Sequence, residues 1–359
     1  MPELILHAGM HKTGSTAIQA FAHQNRKALR KQGLVYPDYK PFLRKVYEAH
    51  HDIAHTMADS GKRLTTAQVK KLVQRWETEA QRSGSNIFLS SEAIYRHIDQ
   101  KASGPWLEKR KEYLKRLSEL FSGFNVTVVI LLRRQDNYIK SMFQEHVMKN
   151  SALGSSEFET FRKQFLKNYQ SKSILLNLGL FEDFFSQIKV LLYEDMQQDP
   201  GLCAHFFAGL GLETQNMTDV GVVRKSLSPG KTILKSFLNK AISSSYENRE
   251  VLSWLNSPPV EKVLDRFYGH DQYELWESFE ARQKFLDLFW EENEQIRSRY
   301  FPENDCLFPK LVDNKFARIP PLSERCKAEL ALLQKAEDSQ LLAGLPAVLR
   351  KIMFWASGR

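Results

Sequence analysis

The segment 126–132 (VTVVILL) constrains the fold of this chain more than any other stretch, because all seven of its residues are apolar or β-branched. A strand without a polar face must be covered on both sides, as strands in the middle of a parallel sheet are. Shorter apolar runs occur at 3–8, 86–90 and 189–193, and segments with helical periodicity separate them. This alternation predicts an α/β fold of three layers, in which helices cover a central parallel sheet.

Composition and the later part of the chain define the domain organisation. With 359 residues, of which 42% are hydrophobic, the chain can bury a large core, which excludes an intrinsically disordered protein. The strand signals end before about 225, and mostly helical patterns follow. We therefore predict one α/β domain over 1–310, with a core at about 1–225 and a helical part at about 226–310. A helical tail is expected at 311–359.

The net charge of +9 indicates an anionic partner, although it does not distinguish a nucleotide from a sulfated sugar, a nucleic acid or an acidic membrane. The three cysteines are far apart and form no CxxC, which favours a reducing compartment over a disulfide framework or a zinc site. No segment is typical of a signal peptide or a membrane span. We expect a cytoplasmic protein. The apolar and basic C-terminal tail fits a peripheral membrane contact or a subunit contact, but docking on the domain is favoured.

The loop at 9–16 (GMHKTGST) carries the strongest functional signal. It lies between the first predicted strand and an amphipathic helix, where backbone N–H groups can surround a phosphate. The pattern GxxxxGK[ST] is matched at both glycines and at Thr16, but Ser15 occupies the lysine position and the lysine stands earlier, at Lys12. An NTPase needs that lysine on the β- and γ-phosphates beside Mg²⁺. The loop therefore predicts an anion site without ordinary triphosphate hydrolysis.

A second motif follows the strand at 126–132. Arg133 ends this strand, and Ser141 follows eight residues later on the next predicted helix. A guanidinium and a hydroxyl at this spacing can hold one phosphate beside the first loop, because parallel sheets bind ligands at the carboxyl ends of their strands. Arg134 is the alternative ligand.

Together, these motifs resemble those of sulfotransferases that use 3′-phosphoadenosine 5′-phosphosulfate (PAPS), particularly the bacterial and Golgi-type carbohydrate enzymes. The resemblance implies a P-loop NTPase-like fold and transfer of a sulfuryl group from PAPS to an acceptor hydroxyl, with 3′-phosphoadenosine 5′-phosphate (PAP) as product and no metal. Many family members carry proline where this chain has Gln135, which affects the turn more than the ligands. The implied donor-binding residues are Lys12, Thr13, Gly14, Ser15, Thr16, Arg133 and Ser141, joined by Arg224 and Lys225 of a later basic loop.

Sulfuryl transfer requires a base for the acceptor proton and a cation at the leaving oxygen. The resemblance gives Lys12 the role of the cation. Glu92 follows the strand at 86–90 and is the favoured base, although capping of the next helix is a close alternative for it. His11, inside the loop, is the second candidate for the base.

A histidine cluster is expected to lie on the acceptor side. We predict that His50 and His51 line the acceptor site together with Glu92. His51 and His55 are spaced to share one helix face, but the sequence offers no third ligand for a metal.

The predicted acceptor is a carbohydrate or another hydroxyl-bearing molecule, and we expect no nucleic acid partner. Two other functions remain open at this stage: a P-loop kinase or NTPase acting on a small molecule, and a non-catalytic binder of an anionic glycan. Binding of PAP compared with ATP–Mg²⁺ distinguishes the three.

Overall fold

A computed structural model of the chain describes residues 1–61, 63–169, 173–221, 226–240, 242–258, 261 and 274–312. The chain divides into two compact units. The first unit comprises Met1–Arg134, Tyr169–Lys225 and Glu292–Phe308, and the second comprises Gln135–Asn168 and Ser226–Glu291 with the residues that follow Phe308. The domain boundaries expected from the sequence, near 225 and 310, stay a prediction.

The first unit is built on a five-stranded sheet in which every strand pairs in parallel with its neighbours. The strand order is β2-β3-β1-β4-β5, so that β1 lies at the centre. This arrangement confirms the predicted α/β class with a central parallel sheet flanked by helices. The strands are β1 (Glu3–His7), β2 (Leu34–Val35), β3 (Asn86–Ser90), β4 (Asn125–Leu132) and β5 (Gln187–Leu192).

Fourteen α-helices lie within the described part of the chain, and none of them is long and apolar enough to cross a membrane. They are α1 (Ser15–Gln24), α2 (Arg26–Lys31), α3 (His51–Met57), α4 (Thr66–Ser83), α5 (Ala93–Arg96), α6 (Trp106–Leu120), α7 (Gln135–Met148), α8 (Phe158–Lys167), α9 (Ile174–Glu182), α10 (Leu202–Ala208), α11 (Pro229–Leu238), α12 (Ser245–Leu255), α13 (Phe279–Asp287) and α14 (Trp290–Tyr300).

The core of the first unit lies on both faces of its sheet. On one face, strand residues such as Ile5 and Val129 pack with Phe21 of α1 and Phe206 of α10. The alternate residues of the same strands, including Leu6, are equally buried. Because successive strand residues point to opposite faces, both faces must be covered by helices. Since every pair of neighbouring strands is parallel, all five strands run in one direction. Their carboxyl ends therefore meet at one edge of the sheet, where the loop after β1 lies.

The second unit is helical in its described part and has an aromatic core. The ring of Trp276 lies 5.2 Å from that of Phe158 and 5.1 Å from that of Phe285. Arg282 of α13 donates to the fully buried carboxylate of Asp136 in α7 at 2.5 Å. A buried ion pair of this kind requires both partners, since either charge alone would be costly to bury.

Candidate functional site

The loop between β1 and α1 is held by backbone bonds to the neighbouring strand β4. The amide of Ala8 donates to the carbonyl of Val129 at 3.0 Å, and the amide of Met10 donates to that of Leu131 at 3.3 Å. Inside the loop, the hydroxyl of the fully buried Thr13 donates to the carbonyl of Met10 at 2.6 Å. Thr13 thus braces the loop from within through its hydroxyl, and its predicted contact with a ligand stays a prediction.

The loop ends where α1 begins. Gly14 takes a left-handed conformation, with φ of 77°, and its carbonyl accepts from the amides of Ala17 and Ile18. The N–H groups of the first turn of an α-helix have no partner within the helix, so this end of α1 can bind an anion, whose charge the helix dipole also favours. The hydroxyl of Ser15 is buried there, and it has no hydrogen-bond partner among the residues that the structure describes. These groups fit a phosphate or a phosphosulfate.

Arg133 lies at the end of β4, beside the loop, as the sequence predicts. Its guanidinium donates to the carbonyl of Lys12 at 2.5 Å and lies over the ring of Tyr193, 4.7 Å from the ring centre. Arg133 therefore contacts the loop at 9–16 directly. Nearby, the amide of Arg134 donates to the carboxylate of Glu194 at 3.1 Å. Ser141 is buried in α7, within the second unit, and its predicted pairing with Arg133 stays a prediction.

Glu92 follows β3 at the same edge of the sheet. Its carboxylate accepts from the amide nitrogen of Gln19 at 2.9 Å and lies 3.5 Å from the imidazole of His51. Its side chain makes no capping bond to α5, which argues against the capping alternative. Burial acts to raise the pKa of Glu92, but His51, the Gln19 bond and a bond from the residue's own backbone amide lower it by more, and His11 acts in the same direction. The pKa lies below its ordinary value, so the carboxylate is ionised at neutral pH.

The histidines near Glu92 differ in their surroundings. His51 is partly exposed and contacts the hydroxyl of Ser91 at 2.9 Å. His50 is buried, accepts from the amide of Ser90 at 3.1 Å and contacts the carbonyl of Pro37 at 3.1 Å. Burial lowers the pKa of His50 to about 3. With both ring nitrogens engaged by backbone groups, His50 is better explained as a structural residue than as an acceptor ligand.

His51 and His55, which the sequence offers as a pair of metal ligands, contact different residues. His55 is in hydrogen-bond contact with His97 at 3.0 Å, whereas His51 faces Ser91 and Glu92. Within the described residues, no group of three or more side chains is arranged to hold a metal ion.

The structure thus places one set of predicted residues at a single edge of the sheet, within the first unit. Arg224 and Lys225 lie outside the described residues. Sequence reasoning missed Gln19, Ser90 and Tyr193, because no local pattern marks a glutamine, a serine or a tyrosine as a contact of a distant residue. The predicted residues at this edge are His11, Lys12, Thr13, Gly14, Ser15, Thr16, His50, His51, Glu92 and Arg133.

Comparisons with known proteins add little to this geometry. No family model matches the chain, and no curated protein matches it significantly. Six solved chains match it, among them a sulfotransferase from Alicyclobacillus acidocaldarius. That protein is 16% identical, and the match covers 67% of this chain and 93% of that one, with a TM-score of 0.35. A likeness at this TM-score supports neither a fold nor an activity.

Proposed function

We propose that this protein is a sulfotransferase that moves the sulfuryl group of PAPS to a hydroxyl group of an acceptor, a carbohydrate. The observation that carries the proposal is the buried Ser15 hydroxyl at the start of α1, in the position where an NTPase loop has its lysine. This hydroxyl and the N–H groups of the first helical turn suit the 5′-phosphosulfate, while Ser15 in place of a lysine disfavours a triphosphate with Mg²⁺. The carbohydrate acceptor rests on the family resemblance.

In the proposed reaction, the acceptor oxygen forms a bond to sulfur as the bond between sulfur and the 5′-phosphate oxygen breaks. The acceptor proton passes to Glu92, and PAP leaves with the negative charge on its phosphate. Lys12 neutralises that charge at the bridging oxygen. Glu92 can take this role because it is ionised before the acceptor binds, since its pKa lies below the ordinary value, and because it lies at the same edge of the sheet as the loop. His11, which faces Glu92, is the alternative base.

The contact between Arg133 and Lys12 supports the role that the proposal gives to Lys12. The bond from Arg133 to the Lys12 carbonyl fixes the backbone of the residue that supplies the cation. The positive φ of Lys12, 65°, is uncommon for a residue with a side chain, and contacts of this kind stabilise it. In the proposal, no metal takes part, and Ser141, Arg224 and Lys225 complete the donor site at the 3′-phosphate. A cytoplasmic location remains part of the proposal, and for the tail, docking on the domain stays favoured over a peripheral membrane contact.

Calorimetry with PAP and with ATP–Mg²⁺ tests the donor. We expect PAP to bind and ATP–Mg²⁺ to bind at least tenfold more weakly, a difference of about 1.4 kcal/mol. Lys12→Ala should then reduce the rate of sulfuryl transfer from PAPS to an oligosaccharide panel by at least about 100-fold, as removal of one charge-stabilising group does elsewhere. Lys31→Ala, on the exposed surface of α2, is the matched control and should change neither quantity.

Two results would contradict the proposal. Preferential binding of ATP–Mg²⁺ would indicate a kinase or NTPase, and failure of both nucleotides to bind would indicate a binder of anionic glycans. Full transfer activity in Lys12→Ala would remove the role given to that lysine.

A further inference from the structure

Gln19 links the loop at 9–16, which we call the proposed donor loop, to the proposed base. It lies on α1, one turn after Ser15, and only 4% of its surface is exposed. Its amide nitrogen donates both to the Ser90 hydroxyl at 3.2 Å and to Oε2 of Glu92 at 2.9 Å. A buried amide that donates to a carboxylate makes a charge-assisted bond with a fixed direction.

Ser90, the other residue to which Gln19 donates, is also held in place. The Ser90 hydroxyl lies 2.8 Å from Nδ1 of His7, in the central strand, and both side chains are fully buried. Gln19 is therefore held by the sheet while it holds Glu92. The imidazole of His51 approaches the same oxygen of Glu92, Oε2, at 3.5 Å.

We propose that Gln19 is a positioning residue for Glu92: it fixes Oε2, so that Oε1 takes the proton of the acceptor hydroxyl. The proposal rests on the proposed function, since it requires Glu92 to be the base. Because Gln19 is carried by the helix that begins in the donor loop, the base is placed relative to the donor by less than two turns of helix. In-line transfer depends on this relative placement of donor and base.

The charge environment allows a specific test. Among the described residues, the ionisable groups that interact electrostatically with Glu92 include His51 on α3, His11 in the loop, His7 on β1 and Tyr36 after β2. None of these is altered when Gln19 is replaced. A change in the pKa of Glu92 on replacement of Gln19 by the neutral leucine then reports the loss of this one hydrogen bond.

The experiment compares Gln19→Leu and Gln19→Glu with the wild-type protein, and with Gln24→Leu as control, since Gln24 is exposed on the same helix. The pKa of Glu92 is measured by carbon NMR of ¹³C-labelled glutamate, with the signal assigned through Glu92→Gln. We expect Gln19→Leu to raise it by about 1 unit. Gln19→Glu should raise it further, because two adjacent carboxylates cannot both ionise freely. Gln24→Leu should leave it unchanged.

The acidic limb of the pH profile of kcat/KM should move to higher pH by the same amount, while PAP affinity stays at the wild-type value in all variants. Unchanged PAP affinity also shows that the fold is intact. If transfer proceeds but neither the pKa nor the acidic limb moves in Gln19→Leu and Gln19→Glu, the positioning role is overturned. A wild-type protein that binds no PAP and transfers no sulfuryl group overturns the proposed function itself, and with it the role of Glu92.

Discussion

Replacement of Gly14 by alanine tests the packing of the donor loop. Two separate costs are expected, one from the backbone and one from the space around the new methyl group. Gly14 has φ of 77°, a conformation that costs a residue with a Cβ about 1–2 kcal/mol. The added Cβ would lie 2.1 Å from Cδ2 of Leu202 and 3.4 Å from the ring of Tyr193. Leu202 must therefore leave its present rotamer.

The second cost is limited because the clashing atom is the far end of a flexible side chain. An unfavourable rotamer costs about 1 kcal/mol. The expected loss in the free energy of unfolding for Gly14→Ala is therefore about 2–3 kcal/mol, measured by urea denaturation at 25 °C. Gly33→Ala is the matched control, because Gly33 has a similar φ of 80° but no atom within 4 Å of an added Cβ. This control should lose only the backbone cost, about 1–2 kcal/mol.

A double-mutant cycle separates the two costs. In a Leu202→Ala background, Gly14→Ala should cost no more than Gly33→Ala, because the clashing atom is absent. PAP binding, measured by calorimetry, should be weakened in Gly14→Ala and normal in Gly33→Ala. Equal destabilisation by Gly14→Ala in both backgrounds would refute the argument from Leu202, and unchanged PAP binding would refute the role of this turn in the donor site.

Two further changes give distinct results. Ser15→Ala should weaken PAP binding in calorimetry by about tenfold or more, and unchanged affinity would contradict this. The thermal unfolding temperature should stay the same, because the hydroxyl has no hydrogen-bond partner in the described fold to lose. His50, whose pKa is lowered to about 3 by burial, stays neutral in the folded state while the unfolded chain takes up a proton below about pH 6.5. His50 alone should therefore contribute a fall of about 1.4 kcal/mol per pH unit in the free energy of unfolding as the pH drops below that value. His50→Asn should remove this contribution from the slope measured by urea denaturation at pH 7 and pH 5, and an unchanged slope would contradict the assignment.

The sequence predicts the sheet well wherever a strand is long enough to carry a signal. Strand β3 coincides with the predicted 86–90, and β4 begins one residue before the predicted 126–132. Strand β2 was missed, because two residues, Leu34 and Val35, cannot show a period, and their strand exists only through pairing with β3.

The candidate site was predictable only where local pattern and chemistry coincide. Loop 9–16 combines glycines, a cation and hydroxyls, and so it could be found in the sequence. The role of Gln19 could not, because it depends on contacts with Ser90 and Glu92, more than 70 positions away in the chain. For His50 the local pattern indicates chemistry, because this residue stands beside His51. Only the fold shows that both of its ring nitrogens are already engaged by backbone groups.

The bonds between the donor loop and β4 also govern when the site can form during synthesis. The amides of Ala8 and Met10 require carbonyls of β4, and the Lys12 carbonyl requires Arg133, which is 121 positions later in the chain. A ribosome has therefore to release more than a third of the polypeptide before the first sixteen residues can take their final shape. Chains arrested before Arg133 leaves the exit tunnel should not bind nucleotide, so the nascent protein should acquire the proposed donor site late, although the loop at 9–16 is made first.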